Sequence, residues 1–223
     1  HILLKVKEGN SMGAYSNFIQ DFPERCRSLL SKHYVASKAA GIEVTLTIAV
    51  ATSGLIVPFE RLRVDDPKLQ FEEAEKLAQA RKQTNALRGR SFLNSRLWPS
   101  PEANSWLEIR GYTITKDDPN QWPELYEERP IPATKTVDSV LAHVRNALAH
   151  GSILTKGDPV QQLVFLSSDG CRKDRKWIPS GKFNVIAVSV HDFHKFLLNW
   201  FDFLQELQLP LIQDQHDVQE ALF

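Results

Sequence analysis

The sequence has little cysteine: Cys26 and Cys171 are the only two in 223 residues. Two are too few for a disulfide-stapled scaffold and nothing beside them spells a thiol-nucleophile motif, so free thiols in a reducing compartment are expected. Net charge is also missing, with 27 Lys and Arg against 27 Asp and Glu. That balance excludes a protein that coats nucleic acid non-specifically, and any contact with a polyanion has to come from a local patch. No apolar run approaches the roughly 18 residues that read as a membrane span, and the N-terminus has no signal-peptide core. A cytoplasmic protein without a membrane partner is the expectation. Methionine occurs once, at Met12, and residues 1–11 before it, HILLKVKEGNS, read as a leader or cloning remnant. His191 and His194 come nearest to a metal-ligand spacing but have no cysteine or acidic ligand in register, so neither metal nor cofactor is implied.

What the sequence does have is helical patterning. From Ser16, which caps it, a first helix buries Phe18, Ile19, Phe22, Cys26, Leu29 and Leu30, and Pro23 is expected to kink or split it. Glu43 to Leu62 is almost wholly apolar from Val44 to Val57. Its Val, Thr and Ile favour a strand, but its length and its lack of turn residues before Gly54 favour a buried central helix, ended or bent by Pro58. Glu60, at its edge, either orients a catalytic cation across the bundle or makes a surface ion pair. Asp65 to Gln83 reads as a polar helix, acidic early and basic late, as the helix dipole favours.

Leu97 to Pro132 alternates tryptophans with prolines, which points to an irregular connection pinned by its aromatics, with a short strand at Trp106 to Ile114. Gln161 to Leu166, a turn at Asp169-Gly170, Lys176 to Ile178 and Phe183 to Val190 read as a small antiparallel sheet. Ser189 and Asp192 then open a last helix whose stripe runs from Phe193 through Phe196, Leu197, Trp200, Phe201 and Leu204 to Leu207. The fold expected is mainly α: a helical bundle with a small antiparallel β hairpin or sheet inserted before the last helix. Residues 12–210 form its one domain and 211–223 a tail.

The chemistry concentrates in Thr134 to Ser152, TKTVDSVLAHVRNALAHGS. Val137, Val140, Leu141, Val144 and Leu148 keep the spacing of a buried helical stripe, and Gly151 suits the left-handed residue that closes a helix. Beside that stripe stand Arg145, Asn146 and His150. A fixed guanidinium, an amide and an imidazole that titrates near neutrality can together handle a phosphodiester without a metal. Five residues place Arg145 and His150 about 140° apart around a helix, an objection that a second copy across a dimer axis removes. The bare spacing is common: Arg27-x5-His33 satisfies it too, without the polar residue after Arg or the Gly after His. The alternative is purely structural, an arginine and a capping histidine at a helix end.

Two basic stretches flank this helix in sequence. Arg81, Lys82, Arg88 and Arg90 form one, and Arg172, Lys173, Arg175 and Lys176, with one intervening acid, form the other. Each is either an RNA-backbone contact or a solvated face.

The string RNALAHG at the end of an apolar helix resembles the signature of the HEPN superfamily (higher eukaryotes and prokaryotes nucleotide-binding domain), Arg-x4-6-His with a polar residue after the Arg. YSNFIQDFPERCRSLL and VSVHDFHKFLLNWFDFL are similar to the first and last helices of a plasmid-associated HEPN subfamily. The resemblance implies an HEPN-like bundle that dimerises through the motif helix. It also implies a metal-independent endoribonuclease, cutting by 2′-hydroxyl attack to leave 2′,3′-cyclic phosphate and 5′-hydroxyl ends. In that reading Arg145, Asn146 and His150 form a composite site, and the biological role is that of a toxin or antiviral effector held by an antitoxin or defence-system partner. An inactive HEPN dimer that binds RNA or nucleotide is the alternative. In toxins silenced by a nucleotidyltransferase, a tyrosine two residues after the motif histidine is modified, and here that residue is Ser152.

Overall fold

The computed structural model describes residues 18–62, 74–99, 105–125, 129–173 and 176–207. Five α-helices and a four-stranded antiparallel sheet occupy them. In chain order they are α1 (Phe18–Ala39), α2 (Glu43–Leu62), α3 (Ala74–Arg88), β1 (Leu107–Tyr112), two 3-10 turns (Pro119–Gln121 and Pro123–Leu125), α4 (Val137–His150), β2 (Ile153–Lys156), β3 (Gln162–Lys173), β4 (Lys176–Ser189) and α5 (Val190–Gln205). The molecule is mainly α, with its sheet laid down before the last helix.

The bundle is organised on α2, which packs against α1, α3, α4 and α5. By length and composition α2 alone among the described helices is apolar enough to cross a bilayer. Here it is a core helix, with Val50, Ala51, Leu55, Phe59 and Leu62 at 3% exposure or less. Pro58 does not end it, since the helix runs on to Leu62. A proline removes the hydrogen bond to the carbonyl four residues back, here that of Gly54, at a cost of about 3 kcal/mol. The Trp200 indole N–H donates to that same Gly54 carbonyl at 3.1 Å. Burial of Phe193, Phe196, Leu197, Trp200, Phe201 and Leu204 along α5, about 1.5–3 kcal/mol each, more than offsets the remaining loss. Gly54 also leaves room for α5, since a Cβ there would stand 2.6 Å from Phe201 Cε1.

Pro23 likewise does not split α1, which runs from Phe18 to Ala39. Leu29, expected on the buried face, is 46% exposed, whereas Ile19, Cys26 and Leu30 are in the core. Burial pushes the Cys26 thiol up to about 11, which makes it an inert core residue. The polar helix appears as α3 from Ala74. Its expected beginning at Asp65, the Ser16 cap, the leader and the tail lie outside the described residues.

The sheet order is β1-β4-β3-β2. Leu163 and Phe165 of β3 with Ile186 and Val188 of β4 join the helical core. Alternate residues Val164, Val185 and Ala187 pack on Ile109, Tyr112, Trp122 and Leu125 in a smaller second core. Thus the connection before α4 covers the outer face of the sheet. Its tryptophans pin it, as the alternation of Trp and Pro suggested: Trp98, Trp106 and Trp122 are 3% exposed or less. Asp169-Gly170 does not turn the chain. β3 runs through it with a register shift between Ser168 and Gly170 and stays paired with β4 to Lys173↔Lys176. The short β2 at the edge was not foreseen, since four residues are too few to show an alternation.

A candidate functional site on the exposed face of α4

The helix that carries the motif is fixed at both ends. Thr136 caps its start, its side chain accepting from the Ser139 amide. Phe92 N–H donates to Lys135 C=O at 2.7 Å, and Val137 N–H to Arg90 C=O at 2.9 Å, which ties this end to the segment after α3. At the other end Gly151 adopts φ 65°. Gly151 N–H bonds Leu148 C=O at 3.3 Å and Ser152 N–H bonds Ala147 C=O at 2.9 Å, the two bonds of a Schellman closure. Backbone alone ends the helix, so the capping role open to His150 in the structural reading is already filled.

The stripe Val137, Val140, Leu141, Val144, Ala147 and Leu148 is buried between α2 and the sheet. Left open is a face on which Ala142 and Ala149 lie near the middle and Arg145 and His150 at opposite edges, about 140° apart. Within one chain, therefore, the two ends of the motif are held by different neighbours.

Arg145 turns toward α2. Its Nε lies 3.0 Å from Glu60 Oε1, within ion-pair distance but without hydrogen-bond alignment, and its side chain is 19% exposed. Its guanidinium sits over the Phe59 ring, 5.4 Å from the centroid. Arg88 approaches the same ring at 5.2 Å and is bound to Asp138 Oδ1 at 2.6 Å. Two cations thus share one aromatic ring, each with its own carboxylate. Of the two readings that the sequence left open for Glu60, the structure shows an ion pair, made with Arg145.

His150 is exposed and turns the other way. With Asn146, Ser167 and Phe183 it lines a cavity of about 450 Å³ between α4 and β3. Asn146 and Ser167 also line a second cavity, of about 690 Å³, that continues along α4 past Ser139 toward Lys135. The side chains of Asn146, His150 and Ser167 make no hydrogen bond to one another or to any other described residue. Their donors and acceptors are free for a ligand.

Sequence reasoning missed the inner wall of this second cavity. His143, one turn before Asn146, is 9% exposed, and its Nε2 is 2.9 Å from the Phe165 carbonyl. Burial lowers its pKa below the ordinary 6.5. Glu108 is nearly buried, bound by Lys135 Nζ at 2.5 Å and by Arg110 Nε at 3.0 Å. Burial raises the Glu108 carboxyl, but these two hydrogen bonds and charges outweigh it and hold it below the usual range. The helical period alone pointed to His143, which lies one turn from both Ser139 and Asn146, but nothing in the sequence brings Glu108 and Lys135 to the same place.

A half-buried imidazole, His194 on α5, has its ring centroid 3.9 Å from that of Tyr34, and its pKa is also lowered, by burial first and then by His191. Both histidines fold neutral, so the unfolded chain binds more protons below pH 6.5. Their contribution is complete above that pH and is lost as pH falls from 6.5 through the folded values. Urea midpoints are therefore expected to be flat from pH 8 to 7 and to decline on acidification, with a smaller decline in His143→Gln.

The basic candidates separate. Arg88 is engaged with Asp138 and Phe59, Arg81 is half-buried, Lys82 is exposed, and Arg90 lines a different hollow with Arg96 and Glu206. They do not form one patch beside His150. In the second group β3 and β4 extend beyond both neighbours: β1 pairs only to Phe183 and β2 only to Phe165. The pairs from Gly170↔Pro179 to Lys173↔Lys176 thus make a two-stranded ribbon rooted at the His150 cavity, with Lys173 and Lys176 exposed on it. Arg172 is on this ribbon, and Arg175 lies outside the described residues. Among the described residues no three His, Cys, Asp or Glu side chains converge as a metal site.

The structure is thus a helical bundle with a polar cluster at the exposed end of α4. The family described as HEPN pEK499 p136 matches residues 12–210, and the chain belongs to it. No curated protein and no solved structure matches. The family points to a nuclease or otherwise RNA-related function.

Proposed function

We propose that the protein is a metal-independent endoribonuclease that works as a homodimer, with the exposed faces of two α4 helices meeting across a two-fold axis. The carrying observation is the division of the motif: Asn146 and His150 border one cavity, while Glu60 and Phe59 hold Arg145 at the opposite edge of the same face. A two-fold axis through Ala142 and Ala149 sets Arg145 of one copy beside His150 of the other, and the small side chains permit close helix approach. In the reaction His150 takes the proton of an RNA 2′-hydroxyl, and the 2′-oxygen bonds to the adjacent phosphorus. The bond from phosphorus to the 5′-oxygen breaks, and that oxygen leaves with a proton from a second acid, His150 of the other copy or water. Arg145 donates to the non-bridging oxygens, where charge builds up, and Asn146 holds the imidazole or the hydroxyl. The ribbon carrying Arg172, Lys173 and Lys176 grips the backbone beyond the cleft. We read the biological role as that of a toxin or defence effector.

The test is cleavage of a mixed RNA pool in EDTA, with analysis of the fragment ends. Cyclic phosphate and 5′-hydroxyl ends are the expected result. Other ends, or a strict need for a divalent metal, would overturn the mechanism. The ion pair gives a smaller expected effect. Glu60 is 40% exposed, so Glu60→Gln removes a partly screened contact, on the order of 1 kcal/mol, and slows cleavage about two- to fivefold with little change in KM. Kinetics on a short oligonucleotide check this.

One observation favours a second reading, an inactive dimer that binds RNA or nucleotide. In the single chain Arg145 is committed to Glu60 and turned from His150. RNA binding that survives in the complete absence of cleavage would establish it.

A further inference from the structure

The cleft does not end at His150. A second cavity, which shares Asn146 and Ser167 with the one at His150, runs along α4 to Ser139, seven residues before Asn146 and about 10 Å along the helix axis. Its volume, about 690 Å³, lies within the usual range for a small-molecule site. The far wall is built from two irregularities of the sheet. The register shift between Ser168 and Gly170 lies at Asp169, and the one between Ile109 and Tyr112 lies at Gly111, whose φ is 62°. Bulges of this kind re-aim side chains and are over-represented beside active sites.

What they aim here is a carboxylate. Asp169 lines the cleft and accepts from Asn184 Nδ2 at 3.2 Å and from Ser180 Oγ at 3.1 Å. Asn184 is itself fixed, since its Oδ1 accepts from Gly111 N–H at 3.3 Å. Among the described residues no cation comes within ion-pair distance of Asp169. Its two neutral donors leave about half of its four acceptor positions open. On the near wall Asn146 and Ser167 have free hydrogen-bonding groups, and Phe183 offers a ring edge or face in the adjoining cavity.

We propose that this cleft is a nucleobase subsite of the ribonuclease, in which Asp169, Asn146 and Ser167 select a base whose Watson–Crick edge carries amino or imino donors. The inference rests on the ribonuclease reading and extends it to the substrate. Guanine, with N1–H and N2–H₂ side by side, meets the carboxylate with two parallel bonds and ranks first. Cytosine and adenine each present one amino group. Uracil, with two carbonyls flanking its single N–H, brings acceptors against an acceptor and ranks last. The base lies on the Phe183 side of the cleft, next to the phosphate held at His150, and stacking there adds affinity without selecting among bases. Glu108, Lys135 and Arg110 close the far end as an ion-paired trio with one positive charge in excess.

The experiment is cleavage of a fully randomised RNA by the wild-type protein, Asp169→Asn and Ser167→Ala, with sequencing of the ends. In parallel, GMP and UMP are titrated by NMR into the same proteins. Guanine is expected to be enriched, and uracil depleted, at one position flanking the cut by about tenfold to a hundredfold. Asp169→Asn, isosteric but carrying a donor, is expected to flatten that preference, with Ser167→Ala weakening it less. Cleavage with no base preference, or with a preference that Asp169→Asn leaves unchanged, overturns the subsite and leaves the ribonuclease standing. If the wild type does not cleave, tighter binding of GMP than UMP, lost in Asp169→Asn, upholds the subsite while the ribonuclease reading falls. Equal or absent binding of both nucleotides then overturns the subsite as well.

Discussion

Replacing His150 with alanine is expected to lower the rate of RNA cleavage by about a hundredfold to ten-thousandfold, the range for removing a positioned general acid or base. Thermal stability should hardly move. The imidazole is exposed, the stripe that packs α4 ends at Leu148, and backbone bonds at Gly151 and Ser152 already close the helix. That separation between activity and stability gives the substitution its force. A histidine that merely capped the helix would shift the melting temperature and leave the rate alone. Initial rates on a single oligonucleotide in EDTA, beside a melting curve of the same preparation, are the check. Unchanged cleavage would remove His150 from the reaction. Equal losses of activity and folded protein would return it to a structural role.

Much of the bundle was legible because its signals are local. The 3.6-residue stripes of α4 and α5, the Ser189 cap and the glycine after His150 each act within a turn or two of where they are written. Helices α1 and α2 run on through Pro23 and Pro58, because a proline's effect depends on what the rest of the fold does with the carbonyl it leaves without a donor. For Pro58 the answer is Trp200, 142 positions away along the chain and invisible to any window. Ser168-Asp169-Gly170 reads as a turn by composition, yet the pairing of β4 carries the strand through it as a bulge. The misread turn became the piece of backbone that aims Asp169 into the cleft.

The candidate site divides in the same way. Arg145, Asn146 and His150 stand within six residues and share one helix, so spacing and residue type were enough to single them out. Glu60 was legible only as a choice between an orienting residue and a surface pair, because the choice depends on which side of α4 faces α2. The cleft wall draws on residues from Glu108 to Asn184, and no periodicity joins them. The basic runs were readable as charge but not as surface. Asp138 and Phe59 engage Arg88, whereas Lys173 and Lys176 project on a ribbon whose length appears only in the register of β3 and β4.

Mixing two inactive variants should restore activity. Arg145→Ala alone removes the cation that meets the phosphate, and cleavage is expected to fall by about a hundredfold or more, as when one preorganised donor to developing charge is lost. His150→Ala is inactive for the reason already given. If each site takes Arg145 from one copy and His150 from the other, a hybrid of the two variants has one site lacking both groups and one site lacking neither. Equal amounts that exchange subunits freely give half hybrids, each with one complete site of two. The mixture should therefore recover about a quarter of wild-type activity. A site built within one chain, with Arg145 leaving Glu60 to swing toward His150, predicts none, because every chain in the mixture lacks one of the groups. The contrast is between a quarter and nearly zero, and it needs no knowledge of the natural RNA. Sedimentation of each variant alone confirms that dimers are present, and a double variant, Arg145→Ala with His150→Ala, mixed with wild type supplies the reverse control. Composite sites then leave every hybrid with no complete site, whereas sites within one chain leave it with one. Because Glu60 and Phe59 hold Arg145 to its own α2 while Asn146 and His150 open toward the sheet, the composite arrangement is the one that requires no side chain to abandon its partner.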